Sequence, residues 1–405
     1  MAIGPNLARL LARATCPCAV VACAAVLAGC AAAPRIPYTQ EEQALAAIPG
    51  IPGARFWADD PTIGSGARSV VRRLPVDRPI VLALSGGGAD GAFGAGLITG
   101  WSARGTRPQF TIVTGASAGA LIAPFAFHGP AYDETIRSVF ASGEMANLLQ
   151  SDFVAGLFGT SLFKTAPLRD LIARHVDDTM VAAIAKEYQR GRRLYIVTTN
   201  LDAQRTAVWD MGKIAASGDP QALDLFRNVL TASASIPGVF SPVLIDVEAQ
   251  GRRFAEMHVD GGVTTNVLIV PEAVLVSGTP LFPPSASPKV YIVMNGKLAN
   301  DFEVVKASTL QIVTRSFETS VHANSRNTLL ASYQFMKSRN WEFHLASLDS
   351  DYPKPPSLGF DTTYMQRLFE YGYQRGRSGV LWQSTPSELS PPPVSAAAPP
   401  RVAKR

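Results

Sequence analysis

Residues 80–91 read IVLALSGGGADG, a short apolar run followed by Ser85 and then by three consecutive glycines. Five apolar residues that end in glycines are typical of a buried β-strand. Turn geometry alone does not require three glycines in a row, but such a run frees several backbone N–H groups to point at one anion. The stretch therefore predicts a strand that ends in an anion-binding loop, with a helix following to about Arg104.

A second strand-turn-helix unit follows. An apolar run at 110–113 leads into GASAG at 115–119, and an apolar helical stretch continues from 120 to 127. A serine between small residues at such a turn is typical of a nucleophile elbow, because small neighbours leave room for the sharp bend. The helix N-terminus would also direct N–H groups at a developing alkoxide. The alternative is a small-residue turn that lets the helix pack closely on the sheet.

The rest of the body continues to alternate. Further strands are predicted at 194–199, 254–259, 289–294 and 342–346, and helical stretches at 167–190, 220–232, 303–338 and 362–377. This alternation predicts an α/β domain with a mostly parallel sheet covered by helices. Parallel sheets bind ligands beyond the carboxyl ends of their strands, so both glycine-rich turns are expected at one edge.

Nucleotide binding is the competing interpretation of the first loop, because Gly86, Gly88 and Gly91 also fit G-x-G-x-x-G. A dinucleotide site needs an acidic residue about 20 positions further on. No Asp or Glu occurs between Asp90 and Asp133. The context therefore argues against a nicotinamide cofactor.

A candidate base for the serine comes later in the chain, where HVDGG at 258–262 places an acid and two glycines at the end of a strand. Alone, this segment fits a solvated Asp-Gly turn equally well. Beside the two earlier motifs, Asp260 becomes the candidate. His258 points to the same face as Asp260 and could support it. None of the histidines lies in a convincing catalytic turn: His128, His175, His258, His322 and His344.

Composition and charge exclude other classes of protein. With 405 residues and 47% apolar residues, the chain is neither disordered nor fibrous. The net charge of +5 comes from the termini. Without the basic residues at 9, 13, 401, 404 and 405, the chain holds 32 basic and 32 acidic residues. A nucleic-acid partner is therefore not expected, since it would need Lys and Arg concentrated on the folded body.

The N-terminus has the pattern of an export signal. Arg9 and Arg13 precede an apolar stretch from 14 to 28, and LAGC at 27–30 ends it. This resembles a bacterial lipoprotein signal with a lipobox, in which Cys30 accepts a diacylglyceryl group before cleavage. The other cysteines precede that position, so the mature chain would keep Cys30 alone. We expect a lipid-anchored protein of the cell envelope, at the periplasmic or the surface side of the bacterial outer membrane. The alternatives are an ordinary signal peptide or a short membrane helix.

Four segments follow from these patterns. They are a signal peptide at 1–29, a Pro-rich tether and irregular lead-in at 30–78, a catalytic domain at 79–385, and a disordered Pro/Ala-rich tail at 386–405. An apolar stretch at 152–163 fits either a flap over the site or ordinary core packing.

Four motifs in chain order resemble the patatin-like phospholipases, and the resemblance covers about 80–295. They are Gly86-Gly87-Gly88-x-x-Gly91, Gly115-x-Ser117-x-Gly119, Ala234-Ser235-Ile236-Pro237 and Asp260-Gly261-Gly262. The resemblance implies a three-layer α/β fold and a Ser-Asp dyad without a histidine, acting on lipid esters with no metal or cofactor.

In the scheme that this resemblance implies, Ser117 attacks the acyl carbonyl and Asp260 takes its proton. Gly87 and Gly88 donate backbone N–H groups to the oxyanion, and Gly86, the first glycine of that oxyanion loop, shapes the turn. One position departs from the family pattern, because Asp90 stands where the family usually carries Arg or Lys. A carboxylate near the oxyanion would oppose catalysis, so Asp90 must point away or weaken the enzyme.

Two other functions remain open at this stage. One is a Ser-His-Asp α/β-hydrolase with His322 or His344 as base. The other is a non-catalytic envelope lipoprotein that binds lipids or partners, for which Asp90 is the motive.

Overall fold

The computed structural model describes residues 35–63, 78–149, 165–279, 281–283, 285–353, 360–379 and 381–386. The expected signal peptide, Cys30, the apolar stretch at 152–163 and nearly all of the expected tail lie outside these residues.

The described residues form one nine-stranded sheet. Its strands are β1 (Arg55–Trp57), β2 (Ile80–Leu84), β3 (Ile112–Ala116), β4 (Arg193–Asn200), β5 (Arg205–Asp210), β6 (Val243–Ala249), β7 (Arg252–Asp260), β8 (Lys289–Lys297) and β9 (Glu342–Leu348). Along the sheet the order is β1-β5-β4-β3-β2-β8-β9, and β7 pairs with both β4 and β6. The five strands from β4 to β9 in this order are parallel to one another. The expected α/β fold with a mostly parallel central sheet is confirmed.

The described helices cover both faces of this sheet. They are α1 (Gln40–Leu45), α2 (Gly91–Ala103), α3 (Ala118–His128), α4 (Asp133–Ala141), α5 (Ala166–His175), α6 (Asp178–Gln189), α7 (Met211–Ala215), α8 (Ala222–Ser233), α9 (Glu272–Ser277), α10 (Thr309–Lys337) and α11 (Thr362–Ser378). The stretch predicted as helical at 167–190 is two helices, because Asp177 caps α6 by accepting a hydrogen bond from the Met180 N–H.

Strand β2 shows why the domain has three layers. Successive side chains of a strand point to opposite faces. Leu82 and Leu84 join the core beneath α2, α3 and α11, whereas Val81 and Ala83 join the core beneath α9 and α10. Burial on both faces explains the continuous apolar run that the sequence displays.

Within the expected tether and irregular lead-in at 30–78, residues 35–63 contain two short regular elements that the sequence reading did not predict. Helix α1 begins with a complete capping box between Thr39 and Glu42, and β1 pairs antiparallel with β5. A three-residue strand and a six-residue helix are too short to produce a periodic signal among prolines. The sequence reading also missed β5 and β6, which add antiparallel pairs at one side of the sheet.

Helices α2 and α11 cross at close range. A Cβ atom at Gly96 would lie 1.9 Å from the Phe369 carbonyl oxygen, and one at Gly376 would lie 2.3 Å from the Leu97 carbonyl oxygen. Only glycine permits this approach. The contact fixes α11 beside the loop that precedes α2. Within the described ranges, no helix combines the length and the apolar character that crossing a membrane requires.

Candidate active site

Ser117 occupies the turn between β3 and α3. Its backbone has φ 52° and ψ −126°, a conformation that residues other than glycine rarely adopt. The flanking glycines are required by space. A Cβ atom at Gly115 would lie 2.6 Å from the Gly119 carbonyl oxygen, and one at Gly119 would lie 2.4 Å from the Leu84 carbonyl oxygen. The predicted elbow geometry is therefore present.

Asp260 ends β7 and lies against Ser117. The Ser117 Oγ hydroxyl donates a hydrogen bond of 2.6 Å to Asp260 Oδ2, while Asp260 Oδ1 accepts one of 2.7 Å from the Gly262 N–H. The second contact accounts for the Asp-Gly-Gly sequence, because Gly261 and Gly262 turn the chain so that its amide meets the carboxylate. The structure thus brings together the two residues that sequence reasoning singled out.

Burial dominates the electrostatics of this pair. Ser117 is 6% exposed and Asp260 is 3% exposed. Burial raises the pKa of Asp260 to about 7, although the hydrogen bonds from Ser117 and Gly262 act in the opposite direction. A carboxyl group with this pKa can accept and return a proton near neutral pH.

The end of α8 and the block at 234–237 hydrogen-bond to the backbone of Ser117 and Asp260. The Asp260 N–H donates to the Ser235 carbonyl at 3.0 Å. Two residues earlier, Ser233 Oγ accepts from the Ser117 N–H at 3.1 Å and donates to the Val197 carbonyl at 2.6 Å. This end of α8 therefore bonds to the backbone of both Ser117 and Asp260.

The glycine loop after β2 lies directly against the serine. A Cβ atom at Gly86 would lie 2.8 Å from Ser117 Cβ. The Gly86 N–H donates to the Asn266 carbonyl at 2.9 Å, which agrees with a role for Gly86 in shaping the turn of the oxyanion loop. The N–H groups of Gly87 and Gly88 have no hydrogen-bond acceptor among the described residues. Gly88 has φ +55°, and Gly91 begins α2.

Two asparagines that sequence reasoning missed hold this loop. Asn295 donates from Nδ2 to the Ser85 carbonyl at 2.6 Å and from its N–H to Ser85 Oγ at 2.8 Å, and its Oδ1 accepts from the Gly94 N–H at 3.0 Å. Asn266 accepts from Gly86 and donates from Nδ2 to Ser325 Oγ at 2.9 Å. The one signal for Asn295 was a polar residue directly after the apolar strand predicted at 289–294.

Asp90 is engaged by the last helix. The Tyr364 hydroxyl, in the first turn of α11, donates to Asp90 Oδ1 at 2.7 Å. Burial raises the pKa of Asp90 to about 6, and the Tyr364 hydrogen bond and the charge of Lys297 oppose that rise. Asp90, which stands where the resemblance predicts Arg or Lys, is therefore hydrogen-bonded to Tyr364.

The histidines make other contacts. His258 is fully buried, with Nδ1 2.9 Å from Thr198 Oγ1 and Nε2 3.1 Å from Glu256 Oε2. His344 stacks on Tyr291, at 4.6 Å between ring centroids. Among the described residues, no histidine forms a hydrogen bond with Ser117 or Asp260.

Residues 82–273 match the family model described as Patatin-like phospholipase. Over this region the chain is similar to the patatin-like phospholipases. The glycine loop, Ser117 and Asp260 all lie within the matched residues, whereas Asn295 lies beyond them. The crystal structure of VipD from Legionella pneumophila is similar, with 13% sequence identity and a TM-score of 0.31, over 75% of this chain and 67% of that chain. No curated protein matches the chain.

Proposed function

We propose that this protein is a serine acyl hydrolase of the phospholipase A, lysophospholipase or lipid esterase type, which cleaves carboxylic esters of lipids with a Ser117–Asp260 dyad. The observation that carries the proposal is the 2.6 Å hydrogen bond from Ser117 Oγ to Asp260 Oδ2 at a strained turn. The similarity to the patatin-like phospholipases supports the lipid class of the substrate.

In the proposed acylation, Ser117 Oγ bonds to the acyl carbon while its proton passes to Asp260 Oδ2. The carbonyl oxygen becomes an oxyanion, which accepts hydrogen bonds from the N–H groups of Gly87 and Gly88. One such donor is worth about 3 to 4 kcal/mol in other hydrolases. The ester C–O bond then breaks and Asp260 returns the proton to the leaving alkoxide, so that an alcohol departs.

Deacylation repeats the same proton movements with water. Asp260 takes a proton from water as the water oxygen bonds to the acyl carbon, and the proton returns to Ser117 Oγ as the acyl–enzyme bond breaks. The N-terminus of α3, which begins one residue after Ser117, favours negative charge at this point in both steps.

We also propose that the mature chain is anchored through acyl groups on Cys30, at the bacterial outer membrane. The LAGC sequence at 27–30 after an apolar segment supports this part of the proposal.

A fluorophosphonate probe tests the nucleophile in the full mature chain. We expect labelling at Ser117, found by mass spectrometry of the labelled peptide, and loss of labelling in Ser117→Ala and Asp260→Asn. Ser142→Ala, at an exposed serine after α4, is the matched control and should label like the wild type. Failure of the folded wild type to label would overturn the hydrolase and favour a lipid-binding or partner-binding lipoprotein.

A further inference from the structure

The first described residue is fixed to one edge of the sheet. The Arg35 guanidinium donates to both carboxylate oxygens of Asp202, at 2.8 and 2.6 Å, and to the Ala255 carbonyl at 2.6 Å. The Tyr38 hydroxyl donates to Asp202 as well, at 2.5 Å. Asp202 lies in the turn that follows β4, so the chain enters the fold at the carboxyl edge.

The active site lies at the same edge. Ala116, one residue before Ser117, pairs with Val197 of β4. Asp202 comes five residues after Val197, beyond the end of β4 at Asn200. The attachment of Arg35 therefore lies further out than Ser117 in the direction in which the parallel strands point.

The distance from Cys30 to this edge is short. Arg35 lies five positions after Cys30, and an extended chain spans at most about 3.6 Å per residue. Acyl groups on Cys30 would then lie within about 18 Å of Arg35. A bilayer that holds those groups must be close to the carboxyl edge of the sheet.

Exposed apolar side chains lie at this edge on the β4 side of the site. Leu201 donates its N–H to the Met257 carbonyl, and Leu244 pairs with Met257 across the β6–β7 ladder. Leu244 is 46% exposed and Leu201 is 38% exposed. Ile36, beside Arg35, is 57% exposed. We call Ile36, Leu201 and Leu244 the hairpin patch.

A second group lies on the β8 side of the site. Strand β8 ends at Lys297 and α10 begins at Thr309, so the connection between them lies at the carboxyl edge. We call this group the helix patch. Its members are Phe302, which is 88% exposed, Val304, which is 80% exposed, Ile312, which is 51% exposed, and Val313, which is 60% exposed. Asn295, two residues before the end of β8, lies against Gly87, where a Cβ atom would be 1.9 Å from the Asn295 carbonyl oxygen, so this connection begins beside the glycine loop.

We propose that the carboxyl edge docks on the bilayer that holds Cys30, with the hairpin patch and the helix patch against the lipid, so that the enzyme hydrolyses lipids of its own membrane. The proposal rests on the proposed lipid anchor and hydrolase. Acyl chains combined with an apolar protein surface give a defined orientation that a flexible tether alone would not give.

Vesicle docking can be measured without activity. The mature chain would keep only Cys30, whose sulfur would be blocked by the diacylglyceryl group, so one introduced cysteine can carry a bimane fluorophore. We expect brominated phospholipids to quench bimane at Leu244→Cys and Val304→Cys. Val276→Cys is the matched control, because Val276 is 81% exposed but lies at the opposite edge of the sheet. Its position follows from Gly278, two residues later, whose carbonyl accepts a hydrogen bond from Arg339, just before β9 begins. Equal quenching at all three sites, or none at Val304→Cys, would overturn the docking.

Substrate choice is tested with two vesicle populations. The lipidated chain is reconstituted in vesicles that carry one fluorescent phospholipid and is mixed with protein-free vesicles that carry another. We expect hydrolysis in its own vesicles to be at least tenfold faster, because anchoring raises the local concentration. Equal rates would contradict the proposal.

Charged variants separate docking from chemistry. Leu244→Glu and Val304→Glu should lower vesicle hydrolysis at least fivefold and leave hydrolysis of a soluble short-chain ester unchanged, whereas Val276→Glu should change neither. A vesicle effect of Val276→Glu equal to theirs would overturn the docking. An unacylated Cys30 in the mature chain would overturn docking through the anchor and leave the hydrolase standing. If the wild type does not hydrolyse the soluble ester, the proposed hydrolase function is overturned. The bimane quenching would still decide whether the carboxyl edge docks on the bilayer.

Discussion

Ser117 and Asp260 are 143 residues apart in the chain, yet they meet because their strands share one side of β4 and approach it from opposite directions. Strand β3 pairs with β4 up to Val197 and runs parallel to it. Strand β7 pairs antiparallel, and Asp260 lies opposite the next residue, Thr198. Ser117 therefore follows the end of β3 at the point where Asp260 ends β7.

The pH dependence of hydrolysis should report on Asp260. Burial raises the pKa of this carboxyl group to about 7, and the group must be ionised to accept the Ser117 proton. We therefore expect kcat/KM for a soluble ester to rise with pH and to level off above about 7. The check is a pH-rate profile from pH 5 to 9, in roughly half-unit steps. A rate already maximal near pH 5 would contradict a buried carboxylate base.

Asp260→Asn should change stability in a pH-dependent manner. The folded-state pKa of about 7 exceeds the ordinary value of 3.8, so the folded protein binds the extra proton between these values. The stabilising contribution of protonation is complete below about pH 4 and is lost as the pH rises through 7. The amide at position 260 of the variant does not titrate. The Tm of the variant relative to that of the wild type should therefore increase between pH 4 and pH 8. Thermal unfolding of both proteins across this range tests the sign, and a constant difference would count against it.

Sequence patterns predicted the central strands because burial on both faces leaves continuous apolar runs, as in β2 and β8. They also predicted the residues at the ends of these strands, including Ser117 and Asp260, since glycines mark such turns. They missed β1 and α1, which are too short for periodicity. They also missed Asn295, whose role depends on a contact with Ser85 that lies 210 residues away in the chain. Short elements and long-range polar contacts leave little local signal.

Replacing the two late histidines should leave hydrolysis almost unchanged. His344 stacks on Tyr291, and neither His322 nor His344 forms a hydrogen bond with Ser117 among the described residues. We expect the double variant His322→Gln/His344→Gln to keep its rate on a soluble ester within about twofold. Removal of the base of a Ser-His-Asp triad would cost on the order of 10³-fold or more. A loss of that size would restore the triad hypothesis.

Asn295 is expected to act as a positioning residue for the glycine loop. A Cβ atom at Gly87 would lie 1.9 Å from the Asn295 carbonyl oxygen, so the loop rests directly on this residue. Asn295→Ala removes the hydrogen bonds of the amide side chain to Ser85 and Gly94. We expect kcat for a soluble ester to fall roughly tenfold or more, with KM changed much less, because the loop serves the transition state. Asn147→Ala, at an exposed asparagine, is the control. A change in KM alone would indicate a purely structural role.

The ion pair between Arg55 and Glu256 should couple the N-terminal segment to the strand of the catalytic acid. The Arg55 side chain is 5% exposed and that of Glu256 is fully buried, where it also contacts Gln43 and His258. Removing one partner of a buried pair leaves an uncompensated charge and costs about 3 to 5 kcal/mol. Glu256→Gln alone should therefore destabilise strongly, while the double variant Arg55→Met/Glu256→Gln should lose less than the sum of the single losses. Urea denaturation of the three variants measures this coupling.

The pair Arg253 and Glu248, whose side chains are 72% and 41% exposed, serves as the surface control and should couple weakly. Additive losses at the buried pair would show that β1 does not support β7.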